Sequence, residues 1–334
     1  MKPTIHDVAK HAGVSVATVS RYLNHSPLIA PASIEKVQRS IEALNYQPNM
    51  MARGLARRST ETVAMVVDYS NEEIYGNEFF LRIQFGLERE LARNGFFLMI
   101  VNAAAKVDAP EMLKKIILEE RVDGIVLLNE MATKETTELL LTAQTPFVVA
   151  GRSDYPGTSW VDVDNVQGGY LATRRLIKAG ASSIGFITNS FQKRFVAERF
   201  EGYKKAMSEN GRSYTYKDVA EGISCYQDQL AYLTKYMDTI CDAYVVTDSY
   251  LAYYFVKALS KRGLRVPDDV QIVAFDNQLL SEISEPGLTV VDIDVTELGV
   301  HAARILLGKL SNAESDLQMQ ELLPARIIER RSTR

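Results

Sequence analysis

The chain has 334 residues, of which 46% are hydrophobic and 24% charged, and its net charge at pH 7 is −4. This length leaves room for about three domains of ordinary size. The start, MKPTIHDVAK, lacks the apolar core of a secretory signal peptide, and no apolar run is long enough to span a bilayer. Two cysteines, Cys225 and Cys241, give neither a disulfide framework nor a metal-binding spacing. We therefore expect a cytoplasmic protein without membrane partner, metal or cofactor.

Residues 4–23, with the sequence TIHDVAKHAGVSVATVSRYL, predict two short helices joined by a tight turn at Gly13. Apolar residues recur at helical spacing in both halves, and Thr4 and Ser15 stand where N-cap hydroxyls satisfy free backbone amides. Two short helices with a glycine turn are typical of the helix-turn-helix motif, whose second helix enters the major groove of DNA. Two surface helices of an ordinary helical domain are the alternative interpretation.

The second predicted helix carries small and polar side chains, which suit a helix that lies in a groove. Arg21 has the fork that makes a bidentate contact to guanine, and the Val16 methyl groups match a thymine methyl. His6 is expected at a phosphate or at the groove edge. The predicted DNA contacts in this segment are Ile5, His6, Ser15, Val16, Ala17, Thr18, Ser20, Arg21 and Asn24.

The segment 48–60 predicts a short hinge helix, because Pro48 and Asn49 are suited to open a helix at Asn49. A helix this short is marginal in water, and Gly54 costs about 1 kcal/mol relative to alanine. We expect the hinge to fold only on DNA and to couple the head to the body. A plain basic linker is the alternative interpretation.

The charge is unevenly distributed along the chain. Residues 1–60 contain eight Lys and Arg against three Asp and Glu, a balance of +5, so that residues 61–334 carry −9. A basic head on an acidic body is the distribution expected when only the head touches phosphates.

The sequence TIHDVAKHAGVSVATVSRYLN, together with IEALNYQPNMMARGLARRST, resembles the lactose/galactose repressor family of bacterial transcription regulators. The segment SVATVSR is similar to the recognition helix of galactose-type members, and a looser resemblance continues through RVPDDVQIVAFDN and LTVVDID. The resemblance implies that Leu55 of each subunit in a dimer inserts into the minor groove at the operator centre. Galactose-type members usually have alanine or serine where this chain has Gly54. The further hinge contacts to DNA that we predict are Asn49, Ala52 and Arg53.

Beyond residue 60, short β-branched runs alternate with amphipathic helical stretches. TVAMVVD, FFLMIVN, DGIVLL and PFVVAG form one series, and WVDVD, SIGFIT, AYVVT and VQIVAFD form a second. Such alternation predicts parallel sheets with helices on both faces. The predicted fold is an all-α helix-turn-helix head and an α/β body of two doubly wound parallel-sheet subdomains, of the periplasmic-binding-protein type that the resemblance implies.

The predicted domains are a helix-turn-helix DNA-binding head at 1–47, a hinge at 48–60, and a bilobal ligand-binding and dimerisation domain at 61–334. The resemblance implies that the chain crosses between the two lobes three times. The expected lobes are about 61–161 with 293–322, and about 162–292 with 323–334.

Candidate effector contacts lie just past the predicted strands, because ligands in open α/β sheets bind at the carboxyl ends of strands. Asp248 and Asp276 each follow an apolar strand, where a carboxylate either accepts two vicinal hydroxyls or only caps the next helix. Arg152 follows the strand PFVVAG, and its alternative role is a surface ion pair.

Three further candidates rest on the resemblance. It implies that Arg199, in ERFEGYKKAM, holds a sugar hydroxyl or a purine, a task that suits a guanidinium fork. It also implies that Phe79 and Phe80 line the cleft, although an aromatic pair at a helix start commonly packs the core.

No GxxxxGK[ST], GxGxxG, HExxH or GxSxG motif accompanies these strands, so we expect no catalytic residues and no enzyme. The resemblance implies a homodimeric repressor of carbohydrate-utilisation genes that binds a pseudo-palindromic operator, on the nucleoid, and leaves it when a sugar binds. The alternatives are a nucleobase effector, a phosphoprotein corepressor, and a sugar-binding receptor. In corepression, the effector would bind the same cleft but prefer the state with the higher operator affinity.

Overall fold

The computed structural model describes residues 3–23, 26, 28–47, 59–68, 78–103, 109–215, 218–311 and 318–334. The described chain forms two compact units. One contains the amino-terminal helices with residues 59–62 and 115–123, and the other contains residues from Val63 to Lys114 and from Gly124 to Arg334. Within these ranges no helix is long and apolar enough to cross a membrane.

The amino-terminal helices are α1 (Ile5–Ala12), α2 (Val16–Leu23) and α3 (Pro31–Leu44). At the start of α1, Thr4 Oγ1 accepts a hydrogen bond from the Asp7 amide while the Asp7 carboxylate accepts one from the Thr4 amide. Gly13 ends α1 with φ +65°, a conformation that glycine adopts without steric cost. Ser15 Oγ accepts a hydrogen bond from the Thr18 amide at 3.1 Å. Both predicted N-caps are therefore confirmed.

The head has a small core of its own. Val8, Val19 and Val37, one from each helix, are fully buried and pack with Tyr46. Burying each valine contributes about 1.5–3 kcal/mol. Because Val19 fixes the inner face of α2, the opposite face of this helix points away from the core.

The first lobe of the body contains a six-stranded sheet of β1 (Thr62–Val67), β2 (Phe97–Asn102), β3 (Gly124–Leu128), β4 (Phe147–Ala150), β5 (Trp160–Val163) and β11 (Gln320–Leu323). The order across the sheet is β11-β5-β4-β3-β1-β2. The pairs β1–β3, β3–β4, β4–β5 and β5–β11 are parallel. Its helices are α4 (Glu78–Arg93), α5 (Ala109–Leu118), α6 (Lys134–Thr142) and α12 (Val295–Leu310).

The second lobe contains a six-stranded sheet of β6 (Ile184–Ile187), β7 (Val219–Ala220), β8 (Ala243–Val246), β9 (Gln271–Phe275), β10 (Thr289–Asp292) and β12 (Arg326–Ile328). The order is β12-β10-β9-β8-β6-β7, and β12 alone pairs antiparallel, with β10. Its helices are α7 (Asn165–Lys178), α8 (Arg194–Glu209), α9 (Tyr226–Tyr236), α10 (Ser249–Lys261) and α11 (Leu279–Ile283).

The chain passes between the two sheets after β5, after β10 and after β11. The predicted fold class is confirmed, but the assignment of WVDVD to the second series is wrong. These residues form β5, which pairs with β4 and β11 in the first sheet. The prediction followed chain order, whereas the partner of a parallel strand is chosen by tertiary packing.

Helices α7 and α8 pack closely because each presents a glycine to the backbone of the other. A Cβ on Gly169 would lie 1.8 Å from the Arg199 carbonyl oxygen, and one on Gly202 would lie 2.0 Å from that of Val166. No side chain fits in these spaces. The close contact fixes the backbone of α8 where it carries Arg199.

Candidate DNA-binding surface and effector site

The outer surface of α2 carries the predicted base-reading residues. Ala17 and Arg21 are exposed and lie one turn apart, whereas Val16 and Ser20 are half-buried. The Thr18 hydroxyl lies 2.9 Å from the Ser15 hydroxyl, so these two side chains help to hold the start of the helix. The arrangement presents one arginine and several small side chains, which suits the major groove.

The remaining predicted DNA contacts divide into two groups. At the start of α1, His6 is exposed and Ile5 packs partly against the core of the head. The other predicted contacts lie outside the described residues, and they are Asn24, Asn49, Ala52, Arg53 and Leu55.

In the second lobe, the Arg199 side chain is only 3% exposed. Its Nε donates a hydrogen bond to Asn165 Oδ1 at 3.1 Å, and its Nη1 donates one to the Thr247 carbonyl oxygen at 2.6 Å. The guanidinium carbon lies 3.9 Å from the ring centroid of Phe275 and 4.8 Å from that of Phe195. Burial lowers the pKa of Arg199, although nearby carboxylates oppose this. Arginine nevertheless stays protonated in proteins, so this group is a fixed buried cation.

Carboxylates surround this cation. Asp276 follows β9 with φ +72°, and burial raises its pKa to about 6 although Arg199 opposes the change. Burial also raises the pKa of Asp248, and its Oδ1 accepts a hydrogen bond from the Leu251 amide at 2.8 Å. The structure therefore shows that Asp248 caps α10. Contact of either carboxylate with an effector stays a prediction.

Arg152 belongs to an ion-pair network that joins the two lobes. Its Nη1 lies 3.5 Å from Glu198 Oε1, and the same carboxylate oxygen accepts a hydrogen bond from Arg194 Nε at 2.9 Å. Arg194 in turn pairs with Asp154 of the first lobe. Above this network, the Arg152 guanidinium lies 5.5 Å from the ring centroid of Trp160. The alternative interpretation of Arg152, an ion pair, is thus present, and its contact with an effector stays a prediction.

The first lobe contributes the two predicted aromatic residues. The rings of Phe79 and Phe80 meet edge to face with centroids 5.6 Å apart, and both pack against the core. One turn further along α4, Arg82 Nη1 donates a hydrogen bond to the Asn277 carbonyl oxygen at 3.0 Å, which is a second contact between the lobes.

Sequence reasoning missed three residues of this region. Asn165 orients Arg199, and Glu198 bridges two arginines. Asp162 accepts a hydrogen bond from the Arg152 amide at 2.9 Å, and burial raises its pKa. Asp162 and Asn165 lie at the end of a predicted strand in WVDVDN, so their position could have indicated them, whereas Glu198 has no local signature.

Known proteins match this chain in both its head and its body. Residues 4–49 match the model for bacterial regulatory proteins of the lacI family, and residues 173–333 match the periplasmic binding protein-like domain. The HTH-type transcriptional regulator CelR of Thermobifida fusca is 31% identical over 320 residues, which cover 94% of each chain. The chain belongs to the lacI family of bacterial regulatory proteins.

Further relatives of this lacI-family chain extend over its full length. The HTH-type transcriptional repressor PurR of Vibrio vulnificus (strain CMCP6) is 31% identical over 330 residues, or 97% of each chain. Catabolite control protein A of Priestia megaterium is 31% identical over 339 residues, or 100% of each chain. CelR and PurR are both named as HTH-type transcriptional regulators or repressors. The lacI-family chain is a DNA-binding transcription regulator, and the predicted resemblance to this family of regulators is confirmed.

Solved structures show the same fold. The complex of the transcriptional regulator CelR with cellobiose matches with a TM-score of 0.74 and 30% identity, over 99% of both chains. The lac repressor dimer bound to operator and the anti-inducer ONPF matches with a TM-score of 0.84 at 20% identity, over 100% of this chain and 99% of that one. The latter likeness concerns the fold alone.

Proposed function

We propose that this lacI-family regulator represses carbohydrate-utilisation genes from a pseudo-palindromic operator and leaves the operator when a sugar binds between its lobes. The observation that carries the proposal is the buried Arg199, stacked between Phe195 and Phe275 beside Asp248 and Asp276. A sugar presents hydroxyls to charged groups and an apolar ring face to aromatic rings. CelR, whose complex contains cellobiose, supports this class of effector. The regulator then acts in the cytoplasm, on the nucleoid when the operator is occupied.

The local charge favours a neutral effector. Besides Asp276 and Asp248, the carboxylates of Asp162 and Glu198 also act electrostatically on Arg199. Glu198 is itself paired with Arg152 and Arg194, but the carboxylates of Asp248, Asp276 and Asp162 would repel an anionic effector, and such repulsion disfavours a wrong ligand. A hydroxyl-rich neutral sugar is therefore favoured over a sugar phosphate.

Effector binding needs only a modest coupling to the DNA-binding head. A sugar held by both lobes would change their relative orientation, and a coupling free energy of about 1–3 kcal/mol suffices for a partial switch. The ligand shifts the equilibrium only by its differential affinity for the two states. Release therefore requires that the sugar prefers the state with the lower operator affinity.

A thermal-shift screen tests the effector class. Mono- and disaccharides including cellobiose, their phosphates, nucleobases and a phosphorylated carrier protein are compared. A true effector at 100 times its dissociation constant should stabilise the folded protein by about 2.7 kcal/mol. A neutral sugar that also lowers operator affinity supports the proposal. Stabilisation by nucleobases alone, or operator binding that requires the phosphoprotein, supports the corresponding alternative.

Substitution of Arg199 tests the assigned site. Arg199→Lys keeps the charge but loses the fork that reaches Asn165 and Thr247, so the variant should still bind the operator but no longer respond to the sugar. Arg174→Lys, an exposed arginine on α7, is the matched control and should respond normally. A normal response of Arg199→Lys would exclude this residue from the effector site.

We also propose that the protein is a homodimer whose two copies meet through apolar faces in both lobes. Leu81 and Phe85, one turn apart on α4, are 64% and 58% exposed, and Leu279 and Ile283 on α11 are 60% and 67% exposed. Apolar pairs this exposed mark interaction surfaces. A second copy is the occupant because two heads are needed on a palindromic operator, and linking them raises their effective concentration on it.

The oligomeric state tests this surface. The double variant Leu279→Asp, Ile283→Asp should sediment as a monomer and bind operator weakly. Leu141→Asp, which changes a 42% exposed leucine on α6, should remain a dimer. A monomeric wild-type protein, or a dimeric double variant, would show that α11 does not hold the two copies together.

A further inference from the structure

A single carboxylate holds the chain where it enters the body. Asp123 accepts hydrogen bonds from the Thr60 amide at 2.6 Å, the Thr60 hydroxyl at 2.9 Å and the Glu61 amide at 2.9 Å, and a fourth from the Ser59 hydroxyl. The Asp123 amide donates to the Thr62 carbonyl oxygen at 2.8 Å. Three consecutive residues are thus fixed to one side chain 62–64 positions away.

The second lobe repeats this arrangement. Asp242 accepts hydrogen bonds from the amides and hydroxyls of Ser182 and Ser183, at distances of 2.7–3.0 Å. Asp123 directly precedes β3 as Asp242 precedes β8, and the clamped residues directly precede β1 and β6. In both sheets the two strands concerned are neighbours. The two clamps are therefore equivalent in structure.

The clamps differ in what lies before them in the chain. The residues before Ser182 belong to α7 and its end, within the same lobe. The residues before Ser59 are the predicted hinge and the helix-turn-helix head. Of the two clamps, the Asp123 clamp is the one that lies in the chain between the predicted DNA contacts and β1.

We propose that Asp123 is a positioning residue that couples effector binding to operator binding, by fixing residues 59–61 at the point where the chain continues into β1 and β3. A linker transmits a displacement only if its end is held. If residues 59–61 were free, their backbone dihedrals would absorb the movement, because each freed residue regains conformational freedom. This inference rests on the proposed effector response.

The test compares Asp123→Asn with Asp242→Asn, its structural equivalent. An asparagine has one acceptor oxygen in place of the two of a carboxylate, and its side-chain NH2 group only donates, so it cannot accept from the clamped amides and hydroxyls. Both substitutions should lower the melting temperature. The DNA is a duplex that the wild-type protein selects from random sequences. The decisive quantity is the response ratio, which is the operator dissociation constant with cellobiose divided by that without it.

Asp123→Asn should reduce this ratio by about three- to tenfold while leaving the cellobiose affinity of the DNA-free protein within about twofold. Asp242→Asn should leave the ratio unchanged. Because coupling is reciprocal, the effect of saturating operator on cellobiose affinity should fall by the same factor in Asp123→Asn. A purely structural role for Asp123 would lower stability and leave both ratios intact.

A milder pair of variants keeps the test decisive if Asp123→Asn fails to fold. Thr60→Val removes only the hydroxyl that donates to Asp123, and Ser183→Ala removes the equivalent hydroxyl that donates to Asp242. Thr60→Val should reduce the ratio and Ser183→Ala should not. If cellobiose lowers operator affinity in the wild-type protein and lowers it equally in Asp123→Asn and Thr60→Val, this inference is overturned while the proposed function stands. If the wild-type protein does not respond to any sugar, the proposed function fails and the inference fails with it.

Discussion

Replacing Asp276 by asparagine is expected to make the folded protein more stable at neutral pH. The pKa of Asp276 is raised from 3.8 to about 6, chiefly by burial. The folded chain therefore binds this proton more tightly than the unfolded chain does, and ionising the carboxyl costs folding free energy. The cost is absent below about pH 4, grows as the pH rises to about 6, and is complete above that.

The size of the effect follows from the pKa. A change from 3.8 to about 6 corresponds to about 3 kcal/mol of folding free energy at pH 7. Asparagine resembles the neutral carboxyl and tolerates the left-handed backbone of this position, where φ is +72°. Asp276→Asn should thus be more stable than the wild type by about 2–3 kcal/mol at pH 7, and equally stable near pH 4.

Urea unfolding, followed by circular dichroism between pH 4 and pH 8, measures this difference. Because the other titratable groups are the same in both proteins, their contribution to the pH dependence of stability cancels in the difference between variant and wild type. Asp242→Asn is the control of opposite sign. Burial acts to raise the pKa of Asp242, but hydrogen bonds from Ser183 and Ser182 outweigh it and the pKa is lowered. Asp242→Asn should be less stable than the wild type at pH 7, and the two free energies of unfolding should become equal as the pH is lowered. A stability difference for Asp276→Asn that does not change with pH would refute the reasoning.

Three other predictions concern separate parts of the molecule. Arg21→Ala should weaken operator binding by about 1–3 kcal/mol and relax base preference at one operator position, as measured by selection from random duplexes. Glu198→Gln should break the network between Arg152 and Arg194 and lower effector affinity about two- to fivefold in low salt but not in 1 M salt, followed by Trp160 fluorescence. Glu201→Gln, whose partner Lys204 lies on the same helix, should show no such change. Gly202→Ala should cost about 1–3 kcal/mol in urea unfolding, because its Cβ would meet the Val166 carbonyl oxygen at 2.0 Å.

The effector region shows how far strand-end reasoning reaches. Asp248 and Asp276 are predicted from the strands that precede them, whereas Arg199 is predicted from the family resemblance, and the structure brings the three into electrostatic contact. Asn165 and Glu198 were not predicted from the sequence. The partner of Asn165 is Arg199 on another helix, and the partner Arg152 of Glu198 lies in the other lobe. A polar residue after a strand is visible in the sequence, but the partner that orients it is not.

The sequence by itself determined the local features of this protein. The capping box of Thr4 and Asp7, the left-handed turn at Gly13 and the cap at Ser15 involve residues within four positions of each other, so neighbouring side chains decide them. Tertiary structure alone decided that β5 joins the first sheet and that Asp123 holds residues 59–61. These choices depend on contacts between distant segments, whose free energy comes from burial and packing and leaves no periodic pattern in the chain.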